Sequence, residues 1–284
     1  MKPARAVPLS SNFSKTYFTL RVFLGVLALA MAPAVTLGAW LADGVALQPS
    51  LSAYYHTVGR DLFVGILVAA GIGLIAYKGF SLLEDWLLNL GGVLACCIAA
   101  FPMSSENAGV CIGTAHTIPR SSALANLLTS ALPVHSETVH YATAVAFYLV
   151  LGAVMITCAH ETLHLVPLAR RRVLLTAYPT LGLLFVASMV LAYALFPSSG
   201  DPERDCQGHR VIAVEIAGLL AFAAFWFLKT WECWKYEVDR KVGDRRRPWA
   251  VRPPLEPAPT NEPSPERHEQ EPLRRRYLDL WRAD

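Results

Sequence analysis

The chain has 284 residues, of which 54% are hydrophobic and 17% are charged, and its net charge is +3. Soluble domains carry charge on about a quarter of their residues, so this composition excludes an ordinary soluble domain and favours a polytopic membrane protein. The small net charge also argues against nucleic acid as a partner. The expected partners are membrane lipids.

Six apolar stretches reach the length of a membrane-spanning helix, which is roughly 17–25 residues. Backbone groups in lipid must find hydrogen-bond partners within the chain, so we predict that each stretch is a helix. The predicted fold class is all-α: a cytoplasmic N-terminus (1–17), a six-helix transmembrane domain (18–229) and a cytoplasmic tail (230–284). The predicted spans are 18–41, 61–78, 83–102, 138–159, 173–196 and 211–229.

Lysine and arginine are concentrated in alternate connections between these spans. The N-terminus, the turn with Lys78, the loop with Arg170–Arg172 and the tail carry most of them, whereas the other three loops carry few. Because basic residues accumulate on the cytoplasmic side, we predict that both termini are cytoplasmic. The predicted location is a bacterial inner membrane, crossed several times.

Two segments outside the spans have their own patterns. Ser121–Leu132, in the long outer loop, is typical of a short amphipathic or interfacial helix. The proline-rich tail from Lys235 to Asp284 favours disorder. Its last segment, 273–284, mixes basic residues with Leu, Tyr and Trp, so it either lies on an anionic inner leaflet or is an ordinary solvated tail.

Of the six cysteines, only Cys111 and Cys206 lie in predicted outer loops. An oxidising outer compartment permits a disulfide between them. Sequence cannot supply the geometry that a disulfide needs, so two free thiols remain the alternative.

The segment His160–His164 matches the zinc-protease pattern HExxH. On one continuous helix its two histidines would lie one turn apart and bind zinc, while Glu161 polarised a bound water. The motif lies at the cytoplasmic end of the fourth span, and Pro167 follows closely. No recognisable second motif supplies a third ligand. The alternative is an ordinary polar helix end.

A second set of polar residues lies on the predicted outer side. Asp61 opens the second span, His140 lies early in the fourth, and Glu215 lies about one turn inside the sixth. Ionisable groups at such positions usually face the bundle interior or a cavity. Alternatively, Asp61 pairs with its neighbour Arg60 or favours the helix dipole. We predict a ligand pocket formed by Ser52, Tyr55, Arg60, Asp61, His140 and Glu215.

This pocket leads to two hypotheses on function. In the first, it binds a lipid, another amphipathic ligand or a membrane partner without catalysis and without a cofactor. Arg60 would meet an anionic headgroup, and Asp61 and Glu215 would orient it. In the second, the protein is a zinc-dependent hydrolase of a lipid, and His56, Asp61 and His140 are the metal ligands.

Several short segments form a set that spans roughly residues 50–229. They are SLSAYY (50–55), RDLFVG (60–65), YKG (77–79), Asp85 with Asn89, Phe101-Pro102, His140-Tyr141 with Phe147, and Glu215 with Phe222, Trp226 and Lys229. As a set, these segments resemble those of a family of bacterial six-helix membrane proteins. The resemblance implies a membrane-embedded fold, without implying an activity.

The segment Ser52-AYY-His56 is followed by Asp61, which opens the second predicted span. This arrangement is similar to the Ser-x3-His element and helix-opening aspartate of the superfamily of alkaline ceramidases and adiponectin-receptor-like proteins, a more distant resemblance. This resemblance implies a seven-helix zinc hydrolase with a late HxxxH motif. The chain departs from that pattern, because its last span carries Glu215 and Leu219, and its HxxxH lies at the opposite side of the predicted bundle.

Overall fold

The structure of the protein is a computed structural model that describes residues 9–103, 135–195 and 210–245. These ranges contain helices and no β-strand, which confirms the predicted all-α class. A helix occurs at each of the six predicted positions. The α-helices are α1 (Leu9–Asp43), α2 (Arg60–Ala76), α3 (Leu82–Ala100), α4 (Ser136–Glu161), α5 (Leu168–Leu195), α6 (Arg210–Lys235) and α7 (Val238–Arg245), and two short 3₁₀-helices cover Ser52–His56 and Leu163–Leu165.

Five of these helices are long and apolar enough to cross a membrane, which supports a multi-pass membrane protein. Helix α2 has 17 residues and is shorter than these five. Exposed tryptophans lie near helix ends, as Trp40, Trp86 and Trp234 do, and tryptophan is enriched at membrane–water interfaces. The qualifying segments are Ser14–Asp43, Leu82–Ala100, Ser136–Thr157, Leu168–Ala192 and Val211–Lys235.

The six long helices form a closed ring. Each packs against the next one in the chain, and α6 packs back against α1. Glycines allow close approach where helices cross: a Cβ on Gly92 would lie 2.5 Å from the carbonyl oxygen of Gly71. A Cβ on Gly152 would lie 2.3 Å from the side chain of Val186 on the neighbouring helix. Small residues at crossings are typical of helix packing in membranes.

A tight turn joins α2 to α3. Ser81 caps α3 by accepting a hydrogen bond from the backbone N–H of Glu84, 3.1 Å away. The carboxylate of Glu84 in turn accepts from the N–H of Phe80 at 2.7 Å. A Cβ at position 79 would lie 2.7 Å from the backbone nitrogen of Asp85, so only glycine fits there. This turn makes α2 and α3 an antiparallel pair.

The chain divides into two compact units, Met1–Gly243 and Asp244–Asp284. In the first unit, α6 continues six residues beyond the predicted end of its span and reaches Lys235. Glu237 then adopts a left-handed conformation with φ of 51°, and α7 follows. The remainder of the predicted disordered tail, 246–284, lies outside the described residues, as does the predicted helix Ser121–Leu132.

Candidate functional site

The connection between α1 and α2 is folded into the bundle. Its 3₁₀-helix, Ser52–His56, buries Ala53, Tyr54, Tyr55 and His56. The turn that follows is closed by Thr57, whose hydroxyl donates to the carbonyl of Tyr54 at 2.9 Å. These buried aromatic side chains make the connection part of the core. Burial also raises the pKa of the Tyr54 phenol, although its hydrogen bond with Gln48 opposes the shift.

Helix α6 holds the start of this 3₁₀-helix through two hydrogen bonds. The carboxylate of Glu215 accepts from the backbone N–H of Leu51 at 2.7 Å. The backbone N–H of Ile212 donates to the carbonyl of Pro49 at 2.8 Å. The predicted pocket residue Glu215 therefore has a backbone donor as a partner, and it positions the segment that carries Tyr55.

The two candidate histidines bind backbone carbonyls in the turn after α3. His56 Nε2 lies 2.9 Å from the carbonyl of Met103, and His140 Nδ1 lies 2.7 Å from that of Phe101. Pro102 lies between Phe101 and Met103, and its carbonyl accepts a hydrogen bond from the hydroxyl of Ser136 at 3.0 Å. Burial lowers the pKa of the His56 imidazole, the bond to Met103 opposes the shift, and the Arg60 charge adds to it. A neutral imidazole matches the role of a structural donor.

Arg60 is held against Tyr55. One of its terminal nitrogens donates to the Tyr55 hydroxyl at 2.9 Å, and the guanidinium lies 4.5 Å from the centre of the Tyr55 ring. Arg60 forms no ion pair within the part of the chain that the structure describes. The neighbouring residue Asp61 is exposed and forms no ion pair with Arg60. Ser52, another residue predicted for the pocket, is half-buried. Thus the structure brings Arg60 and Tyr55 together and leaves Asp61 outside that contact.

The described residues include no group of three or more histidines, cysteines, aspartates or glutamates that could hold a metal ion. His56, Asp61 and His140 are therefore not gathered into a metal site. The HExxH motif is interrupted: α4 ends at Glu161, and Leu163–Leu165 forms a separate 3₁₀-helix. Its two histidines are not carried by one continuous α-helix. Cys111 and Cys206 lie outside the described residues.

A buried charged cluster at the opposite end of the bundle was missed by sequence reasoning. Lys229 Nζ donates to the hydroxyl of Thr162 at 2.6 Å and lies 3.3 Å from a carboxylate oxygen of Glu232. Glu232 also accepts from Thr162 at 2.6 Å and from Tyr178. The side chains of Lys229 and Glu232 are 1% and 0% exposed. Their spacing of three residues on one helix was the available sequence signal.

A second buried pair joins α1 to α7. The Arg21 guanidinium is fully buried and donates to both carboxylate oxygens of Asp239, and one of its nitrogens also donates to the Tyr77 hydroxyl at 3.1 Å. Arg21, which lies inside the predicted span 18–41, is therefore part of the core.

An open groove of about 760 Å³ lies between α4 and α5, near the end of the bundle that carries Arg60. Its lining is mostly apolar, with polar groups only at the helix start. The lining residues are Thr138, Tyr141, Ala142, Val145, Met189, Val190 and Ala194. Such a surface suits contact with lipid chains.

The two ends of the bundle differ in how their charges are satisfied. At the Lys229 end, two buried pairs, Lys229 with Glu232 and Arg21 with Asp239, each join opposite charges. At the Arg60 end, polar side chains bind backbone groups, and Arg60 rests on an aromatic ring.

Comparison of the chain with protein-family models, with curated proteins and with solved structures found no match.

Replacing Lys229 by methionine should lower the stability of the protein by about 3–5 kcal/mol, because Glu232 would be left as a buried, uncompensated charge. The double variant Lys229→Met/Glu232→Leu should lose less than this, since both charges are removed together. Thermal unfolding of the purified variants in detergent measures the difference. A double variant that is less stable than the single one would contradict the pairing.

Proposed function

We propose that the protein binds a lipid or another amphipathic ligand with an anionic head, and that Arg60 is the group that meets it. The observation that carries the proposal is the position of Arg60 on Tyr55, without a carboxylate partner among the described residues. A guanidinium fixed in this way presents its remaining N–H groups to an anion at little entropic cost. Its fork geometry suits phosphate or carboxylate oxygens.

The other residues predicted for the pocket divide into two roles. Asp61, exposed beside Arg60, is suited to orient the hydroxyl or amine part of a headgroup, and Ser52 offers a further hydroxyl. Glu215 and His140 act indirectly, because their side chains already bind backbone groups of Leu51 and Phe101. They position the 3₁₀-helix and the start of α4 around the ligand.

Replacing Arg60 by glutamine should weaken binding of an anionic lipid about tenfold to a hundredfold, because a charge-assisted hydrogen bond is worth about 1.5–3 kcal/mol. The measurement is photo-cross-linking of the purified chain with a phosphatidylglycerol that carries a diazirine in its headgroup. Labelled peptides are then mapped by mass spectrometry.

Labelling of residues 50–65 should fall in Arg60→Gln and persist in Arg60→Lys, which keeps the charge. Lys78→Gln is the matched control, because Lys78 is exposed and already paired with Asp85. Unchanged labelling of residues 50–65 in Arg60→Gln would reject the proposal.

A zinc-dependent lipid hydrolase remains the second candidate. One observation favours it: His56 and His140 each bond a backbone carbonyl through one ring nitrogen, as metal-binding histidines commonly do. A catalytic zinc needs three protein ligands, and His56, His140 and Asp61 do not form a group of three ligands among the described residues. The described residues therefore do not fit a zinc ion.

Metal analysis of the purified full chain should find much less than one zinc per chain, because a third ligand is not gathered beside the two histidines. Stoichiometric zinc that disappears in both His56→Ala and His140→Ala would overturn this expectation and favour the hydrolase.

We also propose that α2 is the sixth span and that both termini face the cytoplasm of a bacterium. Its 17 residues extend about 26 Å, close to the roughly 30 Å of a hydrocarbon core. It packs against α1 and α3, and its last residue leads into the turn beside Lys229. The exposed cations Lys78 and Arg170–Arg172 then share one side of the membrane.

Cysteine labelling tests this topology in a background without native cysteines. Leu47→Cys and Leu168→Cys replace exposed residues on the two predicted sides. A membrane-impermeant maleimide should label position 47 in intact cells and position 168 only after permeabilisation. If α2 does not cross the membrane, both positions lie on the same side and label alike.

A further inference from the structure

Three consecutive arginines, Arg170–Arg172, are exposed in the first two turns of α5, and we call them the arginine patch. Their side chains form no ion pair or hydrogen bond with any described residue. Two other exposed cations at this end of the bundle lie beside a carboxylate. Lys78 lies 3.4 Å from Asp85, and Arg240 lies 3.3 Å from Glu237. The patch is therefore a local excess of positive charge.

The patch does not stabilise α5. The N-terminus of a helix carries partial positive charge and favours acidic side chains, yet the first turn of α5 contains none. Three adjacent like charges also repel one another. The stability of the helix therefore does not explain the positive charge at this position.

The position of the arginine patch along the length of the bundle indicates what the arginines contact. Tyr178 on α5 bonds Glu232 on α6, at the level of the last turns of α6. Arg172 lies six residues before Tyr178 and therefore about 9 Å farther toward the end of the bundle. Leu168 and Val173, on either side of the patch, are exposed, as is Trp234 at the end of α6. Exposed apolar and tryptophan side chains next to arginines are typical of the headgroup region.

We propose that the arginine patch binds the anionic headgroups of phospholipids in the leaflet at the Lys229 end. Guanidinium groups bind phosphate oxygens in a bidentate manner, and basic residues at this depth attract anionic lipids. Lys235, exposed one turn beyond the buried pair on α6, adds positive charge at the same end. This surface lies at the opposite end from Arg60 and does not depend on the lipid site proposed there.

The experiment uses the full chain in detergent with the photoactivatable phosphatidylglycerol. Labelling of residues 168–178 should require about a hundredfold more lipid in Arg170→Gln/Arg171→Gln/Arg172→Gln, and about fivefold more in Arg171→Gln alone. Arg60→Gln is the control and should leave this labelling unchanged. Labelling of 168–178 that is equal in the wild type and the triple glutamine variant would overturn the proposal.

Two further measurements test the proposal even when the triple glutamine variant does not insert correctly. The triple lysine variant keeps the positive charge and should retain labelling within several-fold of the wild type. In the wild type itself, raising the salt concentration from 0.05 to 0.5 M should weaken the labelling, because exposed charges are screened. Labelling that does not respond to salt, or a phosphatidylcholine analogue that labels 168–178 equally well, would also overturn the proposal.

Discussion

The constraint on which the bundle depends is that charges buried among membrane helices must be neutralised where they lie. Lys229 satisfies this constraint with Glu232, and Thr162 and Tyr178 supply the remaining hydrogen bonds to the carboxylate. These four residues come from α6, from α5 and from the residue that follows α4. Separating Lys229 from Glu232 would leave each of them as a buried charge without its partner, so the cluster holds α6 against α5 and the end of α4. Arg21 and Asp239 do the same for α1 and α7.

At the Arg60 end, the polar side chains are satisfied mainly by hydrogen bonds to backbone groups. Glu215 accepts from a backbone N–H, and both histidines bind backbone carbonyls, so the polar side chains there mainly hold irregular backbone in place. Backbone that leaves a helix inside a membrane protein needs such partners. Arg60 is the exception, because its partner is an aromatic ring and a hydroxyl. That difference is why the proposed ligand site centres on Arg60.

The helices could be predicted from the sequence because the length of an apolar stretch is a local property. The 3₁₀-helix could not, because Tyr54 and Tyr55 are buried through contacts with distant segments, and the same residues also suit an interface. The HExxH pattern predicts one continuous helix. That helix ends at Glu161. The next residue, Thr162, forms hydrogen bonds with Lys229 and Glu232. Long-range pairing of this kind leaves no periodic signal along the chain.

The pairing of Arg21 with Asp239 has a consequence for biosynthesis. The two residues are 218 positions apart in the chain, and a membrane protein is inserted in order from its N-terminus. Arg21 is thus made and inserted long before its carboxylate exists. The ring of helices also closes only when α6 arrives beside α1. A chain that stops before α7 would carry an uncompensated guanidinium in its core, so completion of the bundle requires synthesis of the whole transmembrane domain and of the segment that follows it.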